Sequence, residues 1–283
     1  MAKDRSRDVV PDRSHDRTLA RSRDSGAFSF HWWRTVLWLI PTIAVYTVVL
    51  GAASVTSSLF DRRGHFAHGC ARAWSWLILA TTGVEVTVEG LDRLVPGRTY
   101  VFVANHQSIY DIPVLFGSLP FLLRIIAKAS LGNFPVLGPH LKRTGHMLVE
   151  RSRPDRSGIF GWANTLTAHG LSLIVFPEGT RSRDGYLGKF KGGSFSLAMQ
   201  AGLPIAPISV VGSRHVMCKG DLTTRPGHVT LVVHEPIETE ASAGASRVES
   251  REPATADVRD LAERVREVIR PAVEAEAARE SVL

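Results

Sequence analysis

The chain has 283 residues, with 34 Lys plus Arg against 27 Asp plus Glu and a formal charge of +7. At about 150 residues per domain, this length suits two domains or one large domain with appendages. An apolar fraction of 44% with 22% charged residues excludes wholesale disorder and a polytopic membrane protein, and two cysteines cannot build a disulfide framework or a multi-cysteine metal site. Cys70 and Cys218 suit two reduced thiols in a cytosolic compartment. Residues 1–27 read as a disordered polar tail, because a run this charged and this poor in large apolar groups cannot offset its ordering entropy. So long a polar lead also departs from the plan of a secretory signal peptide.

Residues 35–60 then run without a single charge, TVLWLIPTIAVYTVVLGAASVTSSLF. As a helix rising about 1.5 Å per residue they reach roughly 39 Å, enough to cross a hydrocarbon core of about 30 Å. Trp32, Trp33 and Trp38 stand at the start, where an aromatic belt would lie. A second apolar run, 73–84, is too short to span and fits an in-plane, re-entrant or core helix. Arg17, Arg21, Arg23 and Arg34 precede the long run and Arg62, Arg63 and Arg72 follow it, a near tie that gives no orientation. A tie is what a hairpin dipping into one leaflet produces. Residues 28–84 are therefore read as a membrane-anchoring helical hairpin on a cell membrane, with both flanks and the remaining chain on the cytoplasmic side.

From Val84 the pattern changes to short β runs alternating with helix-like stretches. Strands are expected at 84–89, 99–104, 121–127, 147–150, 171–176, 205–211 and 229–234, and helices at 109–119, 155–169 and 194–201. Near-continuous apolar strands alternating with helices predict an α/β fold, with a mixed or mostly parallel sheet flanked by helices, over residues 85–240. The remainder, 241–283, reads as a linker followed by an amphipathic helix. Its apolar spacing, Val258, Leu261, Val265 and Ile269, predicts a helix over 254–270 that stops at Pro271.

Charge is unevenly placed. Residues 124–191 hold 11 bases and 4 acids, whereas residues 235–283 hold 7 bases and 12 acids. The basic stretch suits an anionic partner: nucleic acid, a phosphorylated metabolite or an anionic lipid surface. No nucleic-acid module accompanies it, and no nucleic-acid partner is expected.

Two strand ends carry chemistry. The second strand runs into Asn105-His106, with Asp111 five residues on. On one continuous helix that offset is about 140° around the axis, so the pair meets only if His106 lies in the turn and Asp111 on the first turn of the next helix. There the carboxylate would hold one ring nitrogen and leave the other as a general base. Taken bare, His-x4-Asp is also compatible with a surface histidine. The strand at 171–176 ends in Phe176-Pro177-Glu178-Gly179-Thr180-Arg181-Ser182. Gly179 permits close backbone approach or positive φ, and Arg181 offers a planar fork suited to phosphate. An ordinary turn with a solvated arginine fits the same residues.

Together these motifs resemble the glycerolipid acyltransferase family, and most of all the 1-acyl-sn-glycerol-3-phosphate (lysophosphatidic acid) acyltransferases. Four blocks carry the resemblance: Asn105-His106 with Asp111; Lys128, Leu131, Pro135 and Gly138 through to Arg151; Phe176 to Ser182 with Lys189, Phe190, Lys191 and Gly192; and Leu203-Pro204-Ile205-Ala206-Pro207-Ile208. The resemblance implies an O-acyltransferase of phospholipid biosynthesis that moves an acyl chain from acyl-CoA or acyl carrier protein to the free hydroxyl of 1-acylglycerol-3-phosphate, giving phosphatidic acid. It implies His106 as base and Asp111 as its orienting partner. Lys128, Arg151 and Arg181 would bind the acceptor phosphate, with Glu178, Gly179 and Thr180 shaping its pocket and Pro204 and Pro207 forming an apolar wall. No metal or separate cofactor is expected, the thioester being a co-substrate and the membrane surface a partner. No serine sits in a Gly-x-Ser-x-Gly elbow, so a covalent acyl-serine has no obvious bearer.

Alternatives stay open on the residues alone. The acceptor is another lysolipid or glycerol-3-phosphate in one reading. A thioesterase or hydrolase would use His106 and Asp111 on water, but leaves the cations Lys128, Arg151 and Arg181 without a purpose. A non-catalytic binder of acidic lipids explains the charge and the apolar hairpin, but not a histidine at a strand end.

Overall fold

The computed structural model describes residues 29–61, 64–150, 158, 161–162, 165, 168–239 and 253–282. The polar tail, Arg151, most of the helix expected over 155–169 and nearly all of the expected linker lie outside them. Of the described members of that helix, Gly158, Gly161, Trp162, Thr165 and Ala168 are helical and His169 lies in the turn that follows.

The uncharged run forms one helix, α1 (Phe30–Ser57), with a single π-helical turn at Thr35–Leu39. It is long and apolar enough to cross a membrane, and only 6% of its most apolar window is buried. Helix α2 (His65–Thr82) packs back against α1. Most of the short apolar run at 73–84, up to Thr82, is thus the second half of an 18-residue helix. Gly64 and Gly83, both left-handed, bracket it. Ile78 and Leu79 of α2 are buried in the core below, so α2 belongs to the hairpin and to the domain at once.

Beyond the hairpin stand seven strands: β1 (Val84–Glu89), β2 (Val101–Ala104), β3 (Leu123–Lys128), β4 (Met147–Val149), β5 (Ser172–Val175), β6 (Ile205–Val211) and β7 (Gly227–Val233). They form one sheet in the order β1-β7-β6-β2-β5-β3-β4. Every pairing is parallel except β6 with β7. Helices α3 (Asp111–Ser118), α4 (Leu137–Arg143), α5 (Gly193–Ala201), α6 (Ser213–Val216) and α7 (Thr255–Val282) follow, with short 3-10 turns at Leu91–Arg93 and Ala129–Asn133.

The strand pleat sorts side chains between two cores. Phe102 and Ala104 of β2 join Ile174 of β5 in the core shared with α2 and α3. Val101 and Val103 join Leu173 and Val175 in the opposite core, with α5 and α7. Both faces are covered, which is why these strands read as continuous apolar runs rather than alternating ones.

The C-terminal helix departs from expectation. It does not stop at Pro271 but continues to Val282. Proline removes one helical hydrogen bond and crowds the preceding turn, at a cost of about 3 kcal/mol. Val273 and Ala277 continue the stripe of Val258, Leu261, Val265 and Ile269, and Val273 is fully buried in the second core. Burying these side chains offsets the proline penalty, since one fully buried aliphatic side chain contributes about 1.5–3 kcal/mol.

Candidate active site

The parallel strands bring separate sequence blocks to one edge. In the β2–β5 ladder Val103 pairs with Val175. Three residues beyond each lie His106 and Glu178. The carboxyl end of β3, on the other flank of β5, reaches the same sheet edge and carries Lys128, which is exposed. Ligand sites of open α/β sheets form at this edge.

The turn after β2 is built from its own residues. Asn105 is fully buried and pairs with Val210 of β6 as a backbone would, its Nδ2 donating to the carbonyl at 2.8 Å and its Oδ1 accepting from the amide at 2.7 Å. That fastening fixes where the chain leaves the sheet. Asp111 opens α3 with no solvent exposure. Its Oδ2 accepts from His106 Nδ1 at 2.7 Å and from the amides of Gln107 and Ser108 at 2.8 and 3.0 Å. A carboxylate only accepts, so the proton on the ring resides on Nδ1, and Nε2 is the atom left with a lone pair. The imidazole stacks on Phe176, with centroids 4.1 Å apart and planes 20° from parallel. The His106 side chain is 15% exposed, so the ring is clamped on one edge and one face while it still reaches the surface.

The turn after β5 is joined to the first. Glu178 Oε1 accepts from the His106 amide at 2.8 Å, and the Ser182 amide donates to the His106 carbonyl at 2.7 Å. Glu178 Oε2 accepts from the Gly188 amide at 3.0 Å. Burial pushes the Glu178 carboxyl above the usual carboxylate range, and those two N–H donors pull it back. Its oxygens therefore bind the protein's own backbone and hold the two turns together. Gly179 has φ +72°, a conformation that favours glycine, and a Cβ there would lie 2.7 Å from Nζ at the flexible end of Lys191. Thr180 Oγ1 and the Arg181 carbonyl accept from Lys219 Nζ at 2.8 and 2.7 Å. Pro204 is buried, and Pro207 is buried within β6 opposite Val103.

Two contributors carry no motif signal. One is Lys219. The other is Arg266 of α7, which donates from Nε to the Gly188 carbonyl at 3.1 Å and from Nη2 to the Leu187 carbonyl at 3.4 Å. Gln107 also braces this loop, Nε2 donating to the Gly185 carbonyl at 2.7 Å.

Beside the site an apolar cavity of about 250 Å³ lies between the hairpin and the domain. Ile109 and Ile112, on the turn and helix that carry Asp111, form its near wall, and Leu50, Gly51 and Trp74 of the hairpin form the far one. His140 and His146 also line it. Burial and the nearby Arg124 hold both imidazoles neutral, His140 at a pKa of about 4 and His146 well below the usual histidine range.

A strand-end histidine held by Asp111, joined through Glu178 to a Gly-Thr-Arg turn, is the arrangement found on residues that match the acyltransferase family model, 85–211. Over these residues the chain is similar to the acyltransferase family. The chain is 37% identical over 163 residues to a 1-acyl-sn-glycerol-3-phosphate acyltransferase of Chlamydomonas reinhardtii, covering 56% of this chain and 48% of that one. It is 35% identical over 183 residues to a chloroplastic protein of the same name from Brassica napus, covering 63% and 53%. With the human 1-acyl-sn-glycerol-3-phosphate acyltransferase alpha the identity is 34% over 160 residues, covering 56% of each chain. The chain thus spans about half the length of the curated relatives it matches. Among solved structures, the 1-acyl-sn-glycerophosphate (LPA) acyltransferase PlsC of Thermotoga maritima superposes with a TM-score of 0.70 at 28% identity, over 85% of this chain and 94% of that one. The likeness to this structure therefore extends past residues 85–211.

Proposed function

We propose that this protein transfers an acyl chain from a thioester, acyl-CoA or acyl carrier protein, to the free hydroxyl of 1-acylglycerol-3-phosphate, giving phosphatidic acid. The observation that carries the reading is the His106–Asp111 pair, joined through Nδ1 at 2.7 Å so that Nε2 stays out of that bond, on a partly exposed ring fastened to the turn bearing Arg181. His106 Nε2 takes the acceptor's hydroxyl proton as that oxygen attacks the thioester carbonyl. The C–O bond forms, the C–S bond breaks, and the departing thiolate takes the proton from the imidazolium. Asp111 stabilises that imidazolium and keeps the ring in one tautomer. Arg181, Lys128 and Arg151 bind the acceptor phosphate, and Thr180 and Gly179 shape its seat. The apolar cavity takes an acyl chain.

The same reading covers the membrane. Helix α1 is tied to the domain near both ends, by the Thr224 amide on Thr35 Oγ1 at 3.0 Å and by Ser54 Oγ, 2.7 Å from His140 Nδ1. A helix lashed along a domain in this way lies in the plane of one leaflet. Its outer surface, with Leu37, Trp38, Val45, Val48 and Val49 exposed, would be the buried face, and the catalytic edge would meet lipid from the cytoplasmic side.

The test is an assay of purified protein with labelled acyl-CoA or acyl carrier protein and a panel of lyso-acceptors. Phosphatidic acid formed from lysophosphatidic acid, in amounts exceeding any product from glycerol-3-phosphate or other lysolipids, is expected. Release of free fatty acid with no acceptor acylated would replace the reading with a thioesterase.

A further inference from the structure

The turn at 178–182 collects positive charge from three places in the chain. Arg181 is its own residue. Lys191 lies over Gly179, close enough that a Cβ at 179 would meet its Nζ. Lys219 reaches it from the loop between α6 and β7, donating to Thr180 Oγ1 at 2.8 Å and to the Arg181 carbonyl at 2.7 Å. Among the described residues, none of the three has a carboxylate within ion-pair distance. The acids nearby are engaged elsewhere: Glu178 accepts two backbone amides, and Asp184 accepts from Ser182 Oγ and the Tyr186 amide. Like charges gathered without counter-charge repel one another. A dianion placed among them relieves that repulsion, and a phosphate monoester carries nearly two charges at neutral pH where a diester carries one.

An ammonium has three donors. Two of those on Lys219 are spent on the turn, which leaves the third and the full charge for a ligand. The loop that presents Lys219 is itself held on the base side of the site, because Ser108 Oγ donates to the Met217 carbonyl at 2.8 Å. It is also braced from behind, with Arg214 donating to the Arg183 carbonyl at 2.8 Å and to Cys218 Sγ at 3.8 Å. Lys219 is therefore placed by contacts to both functional turns.

We infer that Lys219 is a phosphate-binding residue of the acceptor site, completing with Arg181 and Lys191 a seat that selects a phosphate monoester over a phosphodiester. The inference rests on the reading of this edge as an acceptor site for a phosphorylated lysolipid. Its position, 38 residues from Arg181 and outside the residues matching the family model, is why no local motif marks it.

The experiment measures equilibrium binding of a short-chain lysophosphatidic acid and of the matching lysophosphatidylglycerol to full-length wild type, Lys219→Gln, Lys219→Arg and Arg181→Gln, with thermal melting as the check on folding and acyl transfer as a separate readout. Losing one charged hydrogen bond should weaken monoester binding by about 10–100-fold in Lys219→Gln. Diester binding should change far less, so the preference between the two ligands narrows. Lys219→Arg, which keeps the charge, should recover most of the loss. If Lys219→Gln melts like wild type and binds the monoester as tightly, or weakens both ligands equally, the inference is overturned. It is equally overturned if the wild type binds neither ligand. Wild-type binding without acyl transfer would sink the proposed function alone, while the Lys219 variants still decide the phosphate seat.

Discussion

The two turns that make the candidate site are built in opposite ways. In the turn after β2 the clamp itself is local: the three bonds that Asp111 Oδ2 accepts come from residues 106–108, and Asn105 anchors the turn to one neighbouring strand, while Phe176 and Glu178 support His106 from the second turn. The turn after β5 is assembled from afar. Lys191, Lys219 and, through Gly188, Arg266 of the C-terminal helix all bear on it. A proton-transfer device needs one short, rigid hydrogen bond, which five residues of chain can supply. A seat for a charged group needs converging cations, and consecutive residues cannot converge on a point because alternate side chains diverge.

Substitutions at the two turns should therefore fail differently, and the largest effect is expected at the local one. His106→Ala removes the proposed base and should lower kcat by about 10²–10⁴-fold. Asp111→Asn should cost less but be strongly non-additive with it, because the pair acts as one unit. Single-turnover rates of the two single variants and the double variant check this. Additive losses would mean that the pair is not a unit.

The next effect concerns the scaffold beneath both turns. His140 is held neutral by burial with a pKa of about 4, against 6.5 unfolded. The unfolded chain therefore binds the extra proton first. The stability His140 contributes is complete above about pH 6.5 and is lost as pH falls toward 4. For one residue that shift corresponds to about 3 kcal/mol, and His146 moves in the same direction. Thermal melts from pH 7 to 4.5 should show a steep fall that His140→Asn flattens. An unchanged slope in that variant would assign acid sensitivity to other groups.

At the assembled turn, Arg181→Lys keeps the charge but loses the fork, and should weaken acceptor binding by about 1.5–3 kcal/mol while the donor KM stays near wild type. Equal losses for donor and acceptor would point to folding instead. The smallest expected effect is at Arg266→Gln, which gives up two donors to the Leu187 and Gly188 carbonyls from a partly exposed site. About 1 kcal/mol of acceptor affinity is expected to go, read as a raised acceptor KM with an unchanged melting temperature. A fall in melting temperature without any KM change would make Arg266 a stability residue only.

Much of this was legible in the sequence. Apolar runs of four to seven residues bounded by Gly, Pro or polar clusters marked the strands, because a sheet covered on both faces buries every side chain of its central strands. The His-x4-Asp offset, compatible by itself with a surface histidine, stated the condition under which the pair could meet. A pair that meets cannot share one helix, and the structure shows the turn-plus-helix arrangement, with Asp111 at the start of α3. The helix through Pro271 was not legible, since local rules price the proline but not the burial of Val273 on a partner core. Nor was Glu178, which reads as a pocket residue and turns its carboxylate to the His106 and Gly188 amides.

By itself, then, the chain order of residues determined the strand and helix pattern, the apolar hairpin and the local clamp on His106, all of which depend on neighbours within one or two turns of backbone. Only the tertiary structure decided what surrounds the Gly179–Arg181 turn, where the hairpin lies along the domain, and that Ile109 and Leu50 wall one cavity. The physical reason is that periodicity encodes which face of an element is apolar but not which element will cover it. A cation's role is set by charges brought close in space, and Lys219 acquires its partners only when β6 is paired beside β2.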